Sequence, residues 1–152
     1  MIIMRVRHLL ILLACAVFAG CESAPEGVAS VPPQVQTVDG SVEKIYLAGQ
    51  QAFRRLDFTI TRSAMGRIEA VSAIHTSETF GNSRQLVAKV AIHEAEPGKS
   101  EVELWITEET ASQSMGGTRR QPLCENGFFG LYFAMLQQVL QEQATANPVE
   151  KN

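Results

Sequence analysis

Several residues in this 152-residue chain have the types and spacing that could do chemistry. His75 and His93, with Glu78, Glu94 and Glu96 near them, are the kinds of side chain that hold zinc. A hairpin turning at Phe80 would place His75 near Leu86 and His93 near Ile68. The two imidazoles would then stand at opposite ends of a sheet, as solvated strand-end residues. Ser112 and Ser114 invite comparison with hydrolase nucleophiles, but no Gly-x-Ser-x-Gly turn is present. Beyond residue 20 the aspartates are Asp39 and Asp57, which suit a helix cap and a helix-to-strand turn. No catalytic, cofactor-binding or metal-ligating residue is therefore assigned. Gly116-Gly117-Thr118-Arg119-Arg120 could cradle an anion with backbone amides and guanidinium groups. It lacks the lysine and the strand–loop–helix setting of a phosphate loop. It reads either as a mobile loop or as a partner contact through Arg119 and Arg120. Trp105 shares a strand face with Glu101, Glu103 and Thr107. If that face is open, Trp105 is a contact hot spot; otherwise a loop covers it. Phe128, Phe129, Tyr132 and Phe133 read as core rather than as a ligand pocket.

These residues need elements to position them. Val42, Ile45, Tyr46, Gly49, Ala52, Phe53 and Leu56 recur at helical spacing, with Asp39 or Ser41 as a cap, so a helix is expected over 41–56. The period then changes to two. Phe58 and Ile60, Ile68 to Ile74, Leu86 to Ile92, and Val102 to Ile106 give four strands with one apolar face. The turn at Pro97-Gly98 carries a register condition. A plain two-residue loop would set Ile92 against Glu103, on the wrong face, so a longer loop or a bulge at Gly98 is expected. Residues 109–122 are polar and read as flexible. A second helix opens at Glu125-Asn126 and ends before Asn147-Pro148. The expected fold is α+β: helix, four-stranded antiparallel meander, helix, with both helices on one face of the sheet.

The amino-terminal stretch belongs to a different regime. Arg5 and Arg7 precede an apolar run from Leu9 to Phe18, followed by Ala19-Gly20-Cys21. This is the order of a signal peptide, and the run is shorter than the roughly 20 residues of a transmembrane helix. An uncleaved anchor is the other reading. Residues 22–38 are rich in Pro, Ser, Ala and Gln and read as a tether spanning about 20–25 Å. The boundaries are then leader 1–20, lipidated cysteine and tether 21–38, globular domain 39–144 and disordered tail 145–152. Removing Arg5 and Arg7 leaves 11 basic and 16 acidic side chains, net −5. That balance argues against nucleic acid and against electrostatic adhesion to anionic lipid. Cys15 leaves with the leader. Cys124 is then a lone thiol, either a small buried apolar residue or an interchain or redox group.

Val17-Phe18-Ala19-Gly20-Cys21 resembles a bacterial lipobox. The resemblance implies a diacylglyceryl thioether on Cys21 and cleavage before it; two or three acyl chains would give stable anchoring. Cys15 is a rival that would leave a much shorter apolar run. Glu22 is not the aspartate that commonly retains lipoproteins at the inner membrane, so the resemblance implies the periplasmic face of the outer membrane, the inner membrane being the lesser choice. The run from Ala48 to Ala70, with Leu56-Asp57-Phe58-Thr59-Ile60 and Gly66-Arg67-Ile68-Glu69-Ala70, resembles small proteobacterial envelope lipoproteins. The aromatic helix Phe128 to Leu140 adds to this. Such domains are similar to helix-grip modules of the lipoprotein subunit of the outer-membrane β-barrel assembly machinery. Met65 stands where the pattern often has an acid. The resemblance implies a non-catalytic role in envelope assembly or maintenance, with an envelope protein as partner. The other reading is a binder of a small apolar ligand or lipid, in a cavity lined by Phe128, Phe133 and Ile92. No cofactor is expected.

Overall fold

The computed structural model describes residues 31–77, 82–112 and 117–146. The order is β1 (Gln34–Asp39), α1 (Val42–Arg55), β2 (Thr59–Ala64), β3 (Arg67–Val71), β4 (His75–Thr76), β5 (Ser83–Glu96), β6 (Lys99–Ser112), β7 (Gly117–Leu123) and α2 (Gly127–Ala146). All seven strands form one antiparallel sheet, ordered β1-β6-β5-β3-β2. β4 pairs with β5, and β7 pairs with β6. The expected four-stranded meander is thus corrected to a seven-stranded sheet. The four anticipated strands appear as β2, β3, β5 and β6; β1, β4 and β7 were not anticipated. Their physical reason is common to all three. They are held by backbone pairing at the sheet's margins, not by an alternating apolar face. β1 buries Val38 but not Gln34 or Gln36, and β7 is exposed from Gly117 to Gln121.

β1 also corrects the expected tether, which was to run to residue 38. The ordered unit includes Gln34 to Asp39, paired residue by residue with Leu104 to Lys99. Residues 109–122, expected as a flexible loop, are instead the end of β6 and most of β7, apart from the undescribed residues 113–116. The expected tail at 145–152 loses its first two residues to α2, which continues to Ala146.

α1 begins at Ser41, whose Oγ accepts a hydrogen bond from the Lys44 amide at 3.4 Å. Glu43 in the first turn and Arg54 and Arg55 in the last complement the helix dipole. The helix ends through Asp57, which takes the left-handed conformation at φ 59° while Phe58 N–H returns to the Phe53 carbonyl at 2.9 Å. α2 starts where Asn126 Oδ1 accepts from the Phe128 amide at 2.8 Å.

The inner face of the sheet aligns Ile68, Val90 and Leu104 in one row, and Ala70, Ala88 and Ile106 in the next. Both helices contribute to the same core, through Ile45, Ala48, Ala52 and Phe53 from α1 and Phe128, Tyr132, Leu136 and Val139 from α2. Phe58 stacks on Phe128 at a centroid distance of 4.5 Å, and Phe53 meets Tyr132 at 4.6 Å. Gly49 permits this contact: a Cβ there would lie 2.9 Å from the Tyr132 hydroxyl.

The β5–β6 turn meets the register condition by a different device. Ile92 pairs with Val102 and Glu94 with Ser100, while Glu96 pairs with Lys99 across Pro97-Gly98. The extra residue is Ala95, before the turn, rather than Gly98. This single bulge keeps Val90, Ile92, Val102 and Leu104 on one face.

Candidate functional site

With α1 packed on one face of the sheet and α2 packed against α1, the opposite face is built by the alternate residues. One row crosses it as Pro122, Thr107, Val87 and Val71, on β7, β6, β5 and β3. The neighbouring row holds Trp105, Lys89 and Glu69, and the one beyond holds Val35, Glu103, Ala91 and Arg67. Each of these side chains is half-buried or exposed, and Val35 is 51% exposed. The face therefore has an apolar centre of Trp105, Val87, Val71 and Pro122. The Lys89–Glu69 pair (3.7 Å) stands in the Trp105 row itself, and farther out His93 approaches Glu103 (3.8 Å) and Arg120 pairs with Glu109 (2.6 Å). Surface pairs of this kind contribute little to stability, but the outer two lie in the polar rim expected of a contact surface.

Trp105 has a specific place in this face. β1 and β7 lie end to end along the same edge of β6: β1 reaches Leu104, and β7 begins its pairing at Ile106. Trp105 is the β6 residue opposite the seam. The Gln34 side-chain amide spans the seam toward the Cys124 carbonyl at 3.5 Å. The indole thus lies on the open face beside the point where the chain enters the domain.

The other sequence-derived candidates are dispersed. Arg119 and Arg120 alternate across β7. Arg120 lies on the open face and binds Glu109, whereas Arg119 lies on the helix-bearing face opposite Thr110. His75 pairs with Arg84 and His93 with Glu101, nine residues apart along β5, or roughly 30 Å. Among the described residues, no three of His, Cys, Asp and Glu are grouped to hold a metal. Glu78, Ser114, Gly116, Cys15 and Cys21 lie outside the described residues, as does the whole leader; Ser112 ends β6. Cys124 is exposed, which corrects the buried reading. Phe128 and Ile92 are packed into the core, and Phe133 lies edge-on to Tyr132 at 5.7 Å.

Two features have little sequence signal. A surface groove of about 410 Å³ opens at the start of α1, between Ser41, Val42, Met65, Glu94 and Lys99. Ser100, fully buried beside it, donates its hydroxyl to the Gly40 carbonyl at 2.8 Å. The Tyr132 hydroxyl is buried with no partner among the described residues, and burial pushes its pKa upward. No described helix is long and apolar enough to cross a membrane.

No protein family matches the chain, and no curated protein matches it. Among solved structures, it is similar to the adenylate sensor from AMP-activated protein kinase in complex with ATP, at TM-score 0.43 and 20% identity over 68% of this chain and 92% of that one. The same sensor in complex with the ribofuranotide ZMP gives TM-score 0.41 and 18% identity over 70% and 94%. A DUF4468 family protein from Bacteroides ovatus gives 0.34 and 14% over 76% and 86%. Similarity this loose leaves the function to be argued from the faces of the sheet.

Proposed function

We propose that this protein is a lipid-anchored periplasmic lipoprotein, held through Cys21 at the outer membrane, that acts as a non-catalytic interaction module in envelope assembly or maintenance. The observation that carries the interaction reading is the sheet face where half-buried Trp105 adjoins the row of Val71, Val87 and Pro122, with charged and polar side chains beside and beyond them. An aromatic anchor in an apolar centre with a charged margin is the composition of a protein contact. The lipobox residues Val17 to Cys21 and the −5 charge of the remaining chain support anchoring by lipid rather than by charge. The apolar-ligand reading has less support, because Phe128 is stacked against Phe58 at 4.5 Å and both belong to the packed core together with Ile92. In intact cells, cross-linking followed by purification through a carboxy-terminal tag is expected to recover one dominant envelope protein. The Cys21→Ala variant is expected to leave the membrane fraction and lose most of that partner. Equal membrane attachment of both forms would rule out Cys21 as the anchor.

A further inference from the structure

The alternation that separates Arg119 from Arg120 brings Arg119 into a row that no stretch of sequence displays. His75 stands opposite Arg84, Arg84 opposite Thr110, and Thr110 opposite Arg119. Directly opposed residues of antiparallel strands point to the same face. Four side chains, from β4, β5, β6 and β7, are therefore aligned across the sheet over roughly 15 Å, with Thr110 between the two arginines. The row is on the helix-bearing face, four residues from buried Ile106 on β6 and four from buried Ala88 on β5. It lies past the end of the core, and His75, Arg84 and Arg119 are exposed. The neighbouring row holds Leu86, Glu108 and Gln121, and Glu108 approaches Arg84 at 3.5 Å. Two guanidinium groups and an imidazole thus face one carboxylate, a local excess of positive charge on a chain whose net charge is −3.

We propose that this row binds a phosphate group. Arg84 and Arg119 flank the Thr110 hydroxyl, so donors from three strands surround the space above β6. A tetrahedral oxyanion presents acceptors in several directions at once and can engage all three. The close carboxylates of this protein each take a single guanidinium, Glu109 from Arg120 and Glu142 from Arg55, each at 2.6 Å, with Glu142 also accepting from the Gln138 amide; the row offers two guanidinium groups to one ligand. The longer, exposed contact of Arg84 with Glu108 is weak enough for an incoming dianion to displace. His75 adds a ring N–H at the β4 end of the row. The phosphate can come from solution or from a phospholipid headgroup, and the chemistry of recognition is the same. This goes beyond the interaction-module reading and does not depend on it.

The test uses the full chain in a non-ionic detergent, titrated calorimetrically with inorganic phosphate and, separately, with dihexanoyl phosphatidic acid below its micelle concentration. Arg84→Gln and Arg119→Gln are each expected to weaken binding by about tenfold or more, while Arg120→Gln, on the opposite face, leaves it unchanged. Binding of inorganic phosphate with that pattern supports the site with free phosphate as its ligand. Binding of phosphatidic acid alone, with that pattern, supports it with a headgroup as its ligand. If neither probe binds, or if Arg120→Gln weakens binding as much as Arg119→Gln does, the proposal is overturned.

Discussion

Tyr132 packs closely over Gly49 in the core. The Tyr132 hydroxyl is buried without a partner among the described residues, and a Cβ at Gly49 would meet it at 2.9 Å. Gly49→Ala is expected to destabilise the fold by about 1–3 kcal/mol through overpacking. Tyr132→Phe removes an unsatisfied polar atom and is expected to be neutral or stabilising. Because the clash is with the hydroxyl itself, Gly49→Ala should cost measurably less in the Tyr132→Phe background, although Ile68 Cδ1 at 3.2 Å keeps part of the penalty. Urea unfolding of the four-member cycle measures that coupling. The same hydroxyl gives a pH dependence. Its pKa is raised by burial, so the stability it contributes is fully present below the unfolded value of about 10 and is lost as pH rises beyond that. The melting-temperature difference between Tyr132→Phe and the wild type should therefore be constant below pH about 10 and shift in favour of the variant above it.

At the scale of elements, the β5–β6 hairpin shows both what the sequence discloses and what it withholds. Parity alone required one extra residue, because Ile92 and Leu104 had to share a face. It could not say on which side of the turn that residue lies. Pro97, with its fixed φ, and Gly98 at φ 82° suit a type II turn, whose twist matches a hairpin poorly. The bulge at Ala95 accommodates it. Deleting Ala95 should therefore destabilise the protein, and adding Pro97→Asn, which favours a two-residue hairpin turn with Gly98, should restore most of the loss in melting temperature. The strands with an apolar period were legible for the same reason that they are stable: they bury a face. β1 and β7 were not. Gln34, Gln36 and Arg119 carry no apolar period, and pairing along β6 is a property of the neighbour, not of the segment. Adjacency in sequence presents Arg119 and Arg120 as a pair, but a strand turns adjacent residues to opposite faces.

On the scale of the whole molecule, the sheet has two unlike faces. One carries the core and α1, with α2 packed against α1; the other presents Trp105 beside the seam where β1 and β7 meet on β6. Its strand position singles out Trp105, and the structure places it half-buried on this face. Its neighbours Val71 and Pro122 come from distant segments and could be found only from the register. Because Trp105 is half-buried against this face, Trp105→Glu should cost about 1–3 kcal/mol of unfolding free energy while abolishing any partner contact.

The measurement that bears most directly on the account is site-specific photo-cross-linking in intact cells. A photoreactive residue is placed at Thr107 on the open face, or at Leu47 on the exposed side of α1 as the control. The account predicts one discrete cross-linked envelope protein from position 107, absent from position 47 and lost when Trp105→Glu is added. No adduct from position 107, or the same adduct from both positions, would contradict the assignment of this face as the contact surface.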